Sequence, residues 1–189
     1  MDVLEIAERY KLIIWDFDGT IVKLHVDWKG LKRELLGIVT SYNIKIKKNL
    51  SLNKLIYLGE QSVSRDIIFK IIERYELKAD FSVNEISVRL IEEIHNFEII
   101  QCILSDNMYK TIETILNKLQ ILDFFDLIIS KEFVKRFKPD LEGLRKILRY
   151  YSYIDKSHIL YIGDNWKDKL IASQEGLNFF EIKGVGKDG

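Results

Sequence analysis

Residues 11–20, with the sequence KLIIWDFDGT, join an unbroken apolar run to a cluster of polar and small residues. A short apolar run without polar alternation is typical of a strand that is covered on both faces of a sheet. Three later runs have the same form and also end in polar residues, and a fifth closes the series: 98–105 (EIIQCILS), 125–130 (FDLIIS), 158–164 (HILYIGD) and 177–182 (LNFFEI). The sequence therefore predicts five buried strands.

Helical patterns separate these strands, at residues 109–119, 141–150 and 167–174. Strands that alternate with amphipathic helices indicate βαβ units and a parallel sheet. We therefore expect an α/β protein with a doubly wound, Rossmann-like sheet. The tail at 184–189 carries three glycines, and we expect it to fray.

The segment 22–80 does not follow this alternation. Its apolar spacing predicts helices at 27–42, 52–60 and 63–75 with no strand between them, and 82–95 is expected to be the helix that leads back to the sheet. A helical block of fewer than 60 residues would bury little surface by itself. We therefore predict an α/β core of residues 1–21 and 81–189 with an inserted helical cap at 22–80.

The composition excludes several classes of protein. The 189 residues include 47% hydrophobic residues, which is enough for a packed core, and 29 basic and 29 acidic side chains give a formal net charge of +0. This balance predicts neither a nucleic-acid nor a membrane partner. Cys102 is the single cysteine and cannot form an internal disulfide, no apolar run approaches the ~20 residues of a membrane span, and the acidic N-terminus does not resemble a signal peptide. A cytoplasmic location is expected.

The chemistry of this sequence collects where the strands end. Ligands of open parallel sheets bind at the carboxyl ends of the strands, and the polar residues expected at that edge are Asp16, Asp18, Ser105, Lys138, Asp164 and Asp168. Carboxylates that are packed together repel one another unless a cation joins them. Because no His or Cys accompanies Asp16 and Asp164, the pair favours Mg²⁺ over Zn²⁺. Ser105 and Lys138 then remain to hold an anion.

These segments resemble the four motifs of the haloacid dehalogenase superfamily, in the right order and on the right elements. The DFDGT sequence of residues 16–20 matches the first motif, Ser105 the second, Lys138 the third, and Gly163-Asp164 with Asp168 the fourth. The resemblance covers the whole chain and is greatest to the phosphoglycolate-phosphatase-like branch with a helical cap. It implies a Mg²⁺-dependent phosphatase that acts on a small phosphorylated metabolite.

The resemblance also implies a role for each motif residue. Asp16 is expected to be the nucleophile and a metal ligand, and Asp18 the general acid and base, with only its backbone carbonyl on the metal. Asp164 is expected to bind Mg²⁺ directly, and Asp168 to be a further ligand or an acidic partner behind the metal. Ser105 and Lys138 are expected to bind the phosphate group.

Several alternatives stay open on the sequence alone. Ser105 could cap the following helix, expected to begin at Asp106 or Asn107, and Lys135 or Arg136 could replace Lys138, which is favoured because Pro139 suggests a helix start beside it. Asp168 could instead form a surface ion pair with a neighbouring Lys. The remaining assignments concern supporting residues: Gly19 for a sharp turn, Thr20 for a local hydrogen bond that fixes the loop, Asn165 for a metal-bound water, and His25, Lys32, Arg33, Lys54 and Arg65 for substrate contact.

Two other functions also remain possible. A phosphomutase on the same scaffold would return the phosphoryl group to a sugar instead of to water. A non-catalytic binding module that retains the fold would be free to lose the motif residues, and here all of them are present.

Overall fold

The computed structural model describes residues 2–42 and 50–183, so the predicted fraying of 184–189 lies outside the described residues. The chain forms two compact units. The first runs up to Leu24 and resumes at Phe81, and the second is His25–Asp80.

The strands are β1 (Leu12–Trp15), β2 (Val22–Leu24), β3 (Phe81–Val83), β4 (Ile100–Leu104), β5 (Leu127–Ile129), β6 (Ile159–Gly163) and β7 (Asn178–Glu181). The helices are α1 (Val3–Arg9), α2 (Trp28–Ser41), α3 (Leu52–Ser62), α4 (Arg65–Leu77), α5 (Glu85–His95), α6 (Tyr109–Lys118), α7 (Glu142–Tyr150) and α8 (Trp166–Glu175).

Five of these strands form one parallel sheet in the first unit, in the order β5-β4-β1-β6-β7, and helices flank it. All four residues of β1 are buried, as a central strand of this kind requires. The predicted α/β fold with a doubly wound parallel sheet is confirmed.

The register of the sheet brings the polar residues to one edge. Trp15, the last residue of β1, pairs with Ile103 of β4 on one side and with Ile162 of β6 on the other. Because the three strands are parallel and in register, the residues that follow them emerge together. Asp16, Ser105 and Asp164 therefore begin loops at the same edge of the sheet.

Two local predictions are wrong in this unit, and one helix was not predicted. Val22–Leu24, predicted to lie in a strandless helical block, pairs antiparallel with Phe81–Val83 in a two-stranded ribbon. The helix predicted at 82–95 begins only at Glu85, after the side chain of Asn84 accepts from the backbone N–H of Ser87. The sequence interpretation also omitted α1, which Asp2 caps through the N–H of Leu4.

The second unit consists of α2, α3 and α4, which pack on one another. Asp27 and Ser51 cap α2 and α3 by accepting from backbone N–H groups, and each of the three helices buries an apolar face. Its role as a cap remains a prediction. None of the helices in 2–42 and 50–183 has the length and apolar character needed to cross a membrane.

Candidate active site

Asp16 lies at the centre of the carboxyl edge of the sheet. Its backbone N–H continues the β1 ladder by donating to the carbonyl of Ile162 at 2.9 Å, which fixes the residue at the end of the strand. Its side chain is only 4% exposed. Oδ1 accepts from Lys138 Nζ at 2.6 Å, and Oδ2 accepts from Thr20 Oγ1 at 3.4 Å. Both carboxylate oxygens are therefore held in place.

The loop after Asp16 is a tight turn closed by backbone hydrogen bonds. The carbonyl of Phe17 accepts from the N–H groups of Thr20, Ile21 and Val22. Gly19 has φ +100°, in the left-handed region that side chains disfavour, and a Cβ there would lie 2.5 Å from Asp164 Oδ2. Glycine at this position thus allows both the turn and the close approach of the Asp164 carboxylate.

Lys138 forms ion pairs with two carboxylates of the site. Its Nζ donates to Asp16 Oδ1 at 2.6 Å, to Asp168 Oδ1 at 2.7 Å and to the carbonyl of Leu104 at 3.2 Å. Burial of the ammonium lowers its pKa, but attraction to Asp16 and Asp168 outweighs burial, and the pKa of Lys138 lies well above its ordinary value. Lys138 therefore stays charged.

Asp168 anchors the far side of this ion pair and is fully buried. Its Oδ1 accepts from both Lys138 Nζ and the hydroxyl of Tyr161, at 2.7 and 3.0 Å. Its Oδ2 has no hydrogen-bond partner among the residues that the structure describes. Such an oxygen is costly to bury unless another group satisfies it.

The acidic cluster fits a hard divalent cation. Asp16, Asp164 and Asp168 each offer an oxygen, and these three oxygens lie within 4.8 Å of one another. If all three side chains were ionised, Lys138 would neutralise one charge and leave two. Burial, and to a smaller extent repulsion from Asp168, raises the pKa of Asp16 to about 8 against the attraction of Lys138, so the ionised Asp16 carboxylate is costly at this position. An all-oxygen ligand set favours Mg²⁺.

Asp18 lies beside this cluster with its side chain engaged elsewhere. Its Oδ1 accepts from the backbone N–H of Leu24 at 2.9 Å, and the Lys23 ammonium lies 3.4 Å from the same oxygen. Both partners belong to β2. The Asp18 side chain is therefore oriented by its contacts with β2, whereas the Asp16 side chain is oriented by Lys138 and Thr20.

Ser105 follows β4 and is 2% exposed, with its backbone N–H bonded to the carbonyl of Ile129. Its hydroxyl donates to Asn107 Oδ1 at 2.9 Å and accepts from the Asn107 N–H at 3.1 Å. The alternative of a helix cap is wrong, because α6 begins only at Tyr109, with Met108 in the cap position. The bonds to Asn107 fix the Ser105 hydroxyl in its loop.

Comparison with family models matches residues 13–182 to the haloacid dehalogenase-like hydrolases. The chain belongs to this family. The match covers the sheet together with the inserted second unit, as the sequence motifs predicted. A search of curated proteins finds no significant match to the chain.

Solved structures of haloacid dehalogenase-like hydrolases share this fold. A hydrolase so described from Bacteroides fragilis is 20% identical, with a TM-score of 0.66 over 95% of this chain and 91% of that one. A predicted phosphoglycolate phosphatase from Haemophilus somnus is 17% identical, with a TM-score of 0.62 over 93% and 86%. A family hydrolase from Bacillus subtilis, described as bound to magnesium, is 15% identical, with a TM-score of 0.60 over 96% and 90%.

The structure places the candidate cations of the third motif in two different environments. Lys138 reaches Asp16, whereas Lys135 and Arg136 are exposed and line a separate cavity. The reason given for favouring Lys138 is nevertheless wrong in detail. The helix after Pro139 begins only at Glu142, so Pro139 does not start it.

Asn165 has a structural role in this hydrolase. Its side-chain oxygen accepts from the N–H of Lys167 at 2.9 Å, which caps α8, and its amide donates to Asp164 Oδ1 at 3.1 Å. The cap sets the first turn of α8 and thereby the position of Asp168, while the amide orients the Asp164 carboxylate.

The sequence interpretation missed Tyr161, Asn107 and Asp106. Tyr161 is buried in the middle of β6 and its hydroxyl donates to Asp168 Oδ1, and Asp106 Oδ1 accepts from the backbone N–H of Lys138 at 3.1 Å. A tyrosine within an otherwise aliphatic strand, two residues before Gly163, was the available signal. Asp106 and Asn107 were noticed only as the start of a helix.

The candidate substrate contacts in the second unit stay predictions for His25, Lys32, Arg33 and Lys54. Arg65 has local partners: its Nε lies 3.2 Å from Glu60 Oε1, and its guanidinium lies 4.6 Å from the centre of the Phe69 ring. These contacts place Arg65 in the packing of α3 and α4.

Proposed function

We propose that this hydrolase is a Mg²⁺-dependent phosphatase that cleaves a small phosphate monoester through a phosphoaspartate at Asp16. The observation that carries this proposal is the environment of the Asp16 carboxylate. It is buried at the end of β1, bonded to Lys138 and close to the carboxylate oxygens of Asp164 and Asp168.

Asp16 and Asp164 are the residues proposed to hold the cation, with the backbone carbonyl of Asp18 as a further ligand. The unpartnered Oδ2 of Asp168 supports a cation or a metal-bound water close behind them. A bound Mg²⁺ would offset the charge of these carboxylates and of the phosphate group.

In the first step an Asp16 oxygen attacks phosphorus, an acyl phosphate bond forms, and the bond to the ester oxygen breaks. Asp18 supplies the proton that this leaving oxygen needs. Lys138 and the Ser105 hydroxyl bind the non-bridging oxygens of the phosphoryl group. In the second step Asp18 takes a proton from water, which attacks the acyl phosphate and releases inorganic phosphate and free Asp16.

The different environments of the two aspartates support this division of roles. Asp16 is fixed by Lys138 within the acidic cluster, whereas Asp18 is anchored to β2 and keeps a partly exposed side chain. A proton donor and acceptor needs access to the leaving group and to water. A nucleophile needs a fixed position and a nearby cation.

The first experiment is a phosphate-release screen with Mg²⁺ or EDTA over phosphoglycolate, sugar phosphates, nucleotides, amino-acid phosphates and an aryl phosphate. We expect release of inorganic phosphate from at least one monoester, and its loss in EDTA. Isomerisation of a sugar phosphate that depends on a bisphosphate activator would instead indicate a phosphomutase. No turnover with any monoester in Mg²⁺ would contradict both.

The second experiment compares Asp16→Asn, Asp18→Asn and the surface control Asp123→Asn by acid-quenched single turnover. Asp16→Asn should abolish turnover, because an amide is too weak a nucleophile. Asp18→Asn should lose roughly 10²–10⁴-fold in rate with poor leaving groups, the usual contribution of a positioned acid and base. With an aryl phosphate it should accumulate phosphoenzyme, because that leaving group hardly needs a proton. Undiminished turnover by Asp16→Asn, or phosphate trapped on Ser105, would refute the mechanism.

A further inference from the structure

The first unit also contains a charged cavity, which shares no residue with the acidic cluster. It has a volume of about 430 Å³ and is lined entirely by charged side chains from α7 and the loop before it. Five lining residues are cations, Lys135, Arg136, Arg145, Lys146 and Arg149, and two are acids, Asp140 and Glu142. With five positive and two negative side chains, the lining of the cavity has a formal charge of +3, whereas the whole chain has a net charge of +0.

Ion pairs neutralise only part of this charge. Arg145 lies 2.7 Å from Glu175, and the two acids of the lining pair at longer distances, Asp140 with Arg136 at 3.5 Å and Glu142 with Lys146 at 3.4 Å. Within 2–42 and 50–183 no ion pair is formed by Lys135 or Arg149. Two exposed cations thus face the cavity without a charged partner in the described chain.

The backbone around these cations is fixed. The Glu142 carboxylate accepts from the N–H groups of Lys135 and Arg136 at 2.9–3.0 Å, which ties the loop to the first turn of α7. On α7, Arg145 and Arg149 are four residues apart and share one face. The opposite face, with Leu144 and Ile147, is buried. The cations are thus presented from a rigid element, so a ligand need not order the backbone when it binds.

We propose that this cavity, which we call the basic pocket, binds a linear phosphate chain such as inorganic tripolyphosphate or the phosphate tail of a nucleotide. Its volume lies in the range of small-molecule sites. All of its lining residues are charged, so it offers no aromatic ring on which a nucleobase could stack. The ligand is therefore recognised by its charge, and a chain with several phosphates can reach Lys135 and Arg149 together.

This proposal is independent of the proposed phosphatase activity, because the basic pocket and the acidic cluster share no residue. The two are nevertheless linked through the chain, since Lys135 and Arg136 lie in the loop that carries Lys138.

The test is calorimetric titration of the full chain with tripolyphosphate in EDTA, at 20 mM and at 200 mM salt. EDTA is chosen because the acidic cluster without metal repels anions, so that heat comes from the basic pocket. We expect binding at low salt that weakens at high salt. The variant Lys135→Ala/Arg149→Ala should bind at least about tenfold more weakly, and the control Lys11→Ala/Lys169→Ala, exposed lysines outside the basic pocket, should change affinity less than about twofold.

Four further measurements complete the test. ATP should bind no more tightly than tripolyphosphate, and backbone amide NMR signals of Lys135 and Arg136 should shift on titration. The pocket variant should keep the thermal stability and phosphate release of the unaltered chain. Equal binding by both double variants, absence of binding at 20 mM salt, or tighter binding of hexaglutamate than of tripolyphosphate would overturn the proposal.

Discussion

Replacement of Lys138 by methionine removes the ammonium from the acidic cluster and keeps an unbranched apolar side chain of similar length. In the native structure this ammonium lies 2.6 Å from Asp16 Oδ1 and 2.7 Å from Asp168 Oδ1, and the side chain is 5% exposed. Removal of one partner from a buried ion pair typically costs about 3–5 kcal/mol, because the remaining charge stays buried and unpaired. For a chain of this size about 1 kcal/mol lowers Tm by about 2–4 °C. In EDTA, Lys138→Met should therefore lower Tm by roughly 6–20 °C.

The matched control is Lys156→Met on the surface. Lys156 Nζ lies 2.8 Å from Glu175 Oε2, nearly the same distance, but the lysine is 51% exposed. Exposed pairs contribute about 0–1 kcal/mol, so the Tm of this variant should change by less than about 4 °C. Both variants are measured by circular dichroism during heating in EDTA. Equal shifts for the two lysines would refute the argument that burial sets the strength of the Lys138 pairs.

A second comparison separates charge from packing at the same position. In the Lys138→Met background, Asp16→Asn removes one of the stranded carboxylates and should recover part of the lost stability. Burial raises the pKa of Asp16 to about 8 in the unaltered chain, and loss of the attraction to Lys138 raises it further, so above pH 8 the variant keeps a proton that the unaltered chain has released and its stability continues to fall as pH rises. The Tm deficit of Lys138→Met should therefore be larger at pH 9 than at pH 5. A deficit that is the same at both pH values would indicate lost packing instead.

Three other changes have defined outcomes. Gly19→Ala should cost about 1–3 kcal/mol in backbone strain and, because its Cβ would lie 2.5 Å from Asp164 Oδ2, should also weaken Mg²⁺ binding; normal affinity in calorimetry would contradict this. Tyr161→Phe keeps the ring but removes the hydroxyl bonded to Asp168, and urea unfolding should show a loss of about 1–3 kcal/mol. Burial raises the pKa of Cys102 to about 12, so its alkylation by iodoacetamide at pH 8 should be roughly 10³-fold slower than that of an ordinary thiol, and mass spectrometry should show labelling only after unfolding.

The sheet and its polar edge could be predicted because both depend on local patterns. An apolar run of four or five residues that ends in Asp or Ser identifies a buried parallel strand and the loop that leaves it. Asp16, Ser105 and Asp164 follow three such strands, and the register of the sheet aligns these strand ends. The first-motif loop was equally predictable, because Gly19 marks a turn.

The remaining features depend on contacts that no local pattern encodes. The β2–β3 ribbon has three residues in each strand, too few to show periodicity, and its pairing joins segments separated by the whole second unit. The motif resemblance predicted that Asp168 is a further metal ligand or an acidic partner behind the metal, but it could not show that Asp168 turns its Oδ1 to Lys138 and Tyr161. Lys138 lies 30 residues before Asp168 in another loop, and Tyr161 lies on β6, the strand before α8.

The charge balance of the acidic cluster connects its stability to the proposed reaction. Lys138 donates to Asp16 and Asp168. Its ammonium offsets one of the negative charges of the cluster and holds both carboxylates in position without metal. The cluster with Asp164 still carries more negative charge than one ammonium can offset, so a phosphate group approaching the metal-free site would be repelled. A bound divalent cation would cancel the two remaining negative charges and make Asp16, the proposed nucleophile, part of an anion-binding site. In the proposed reaction the cation must therefore be present before the substrate phosphate group can approach Asp16.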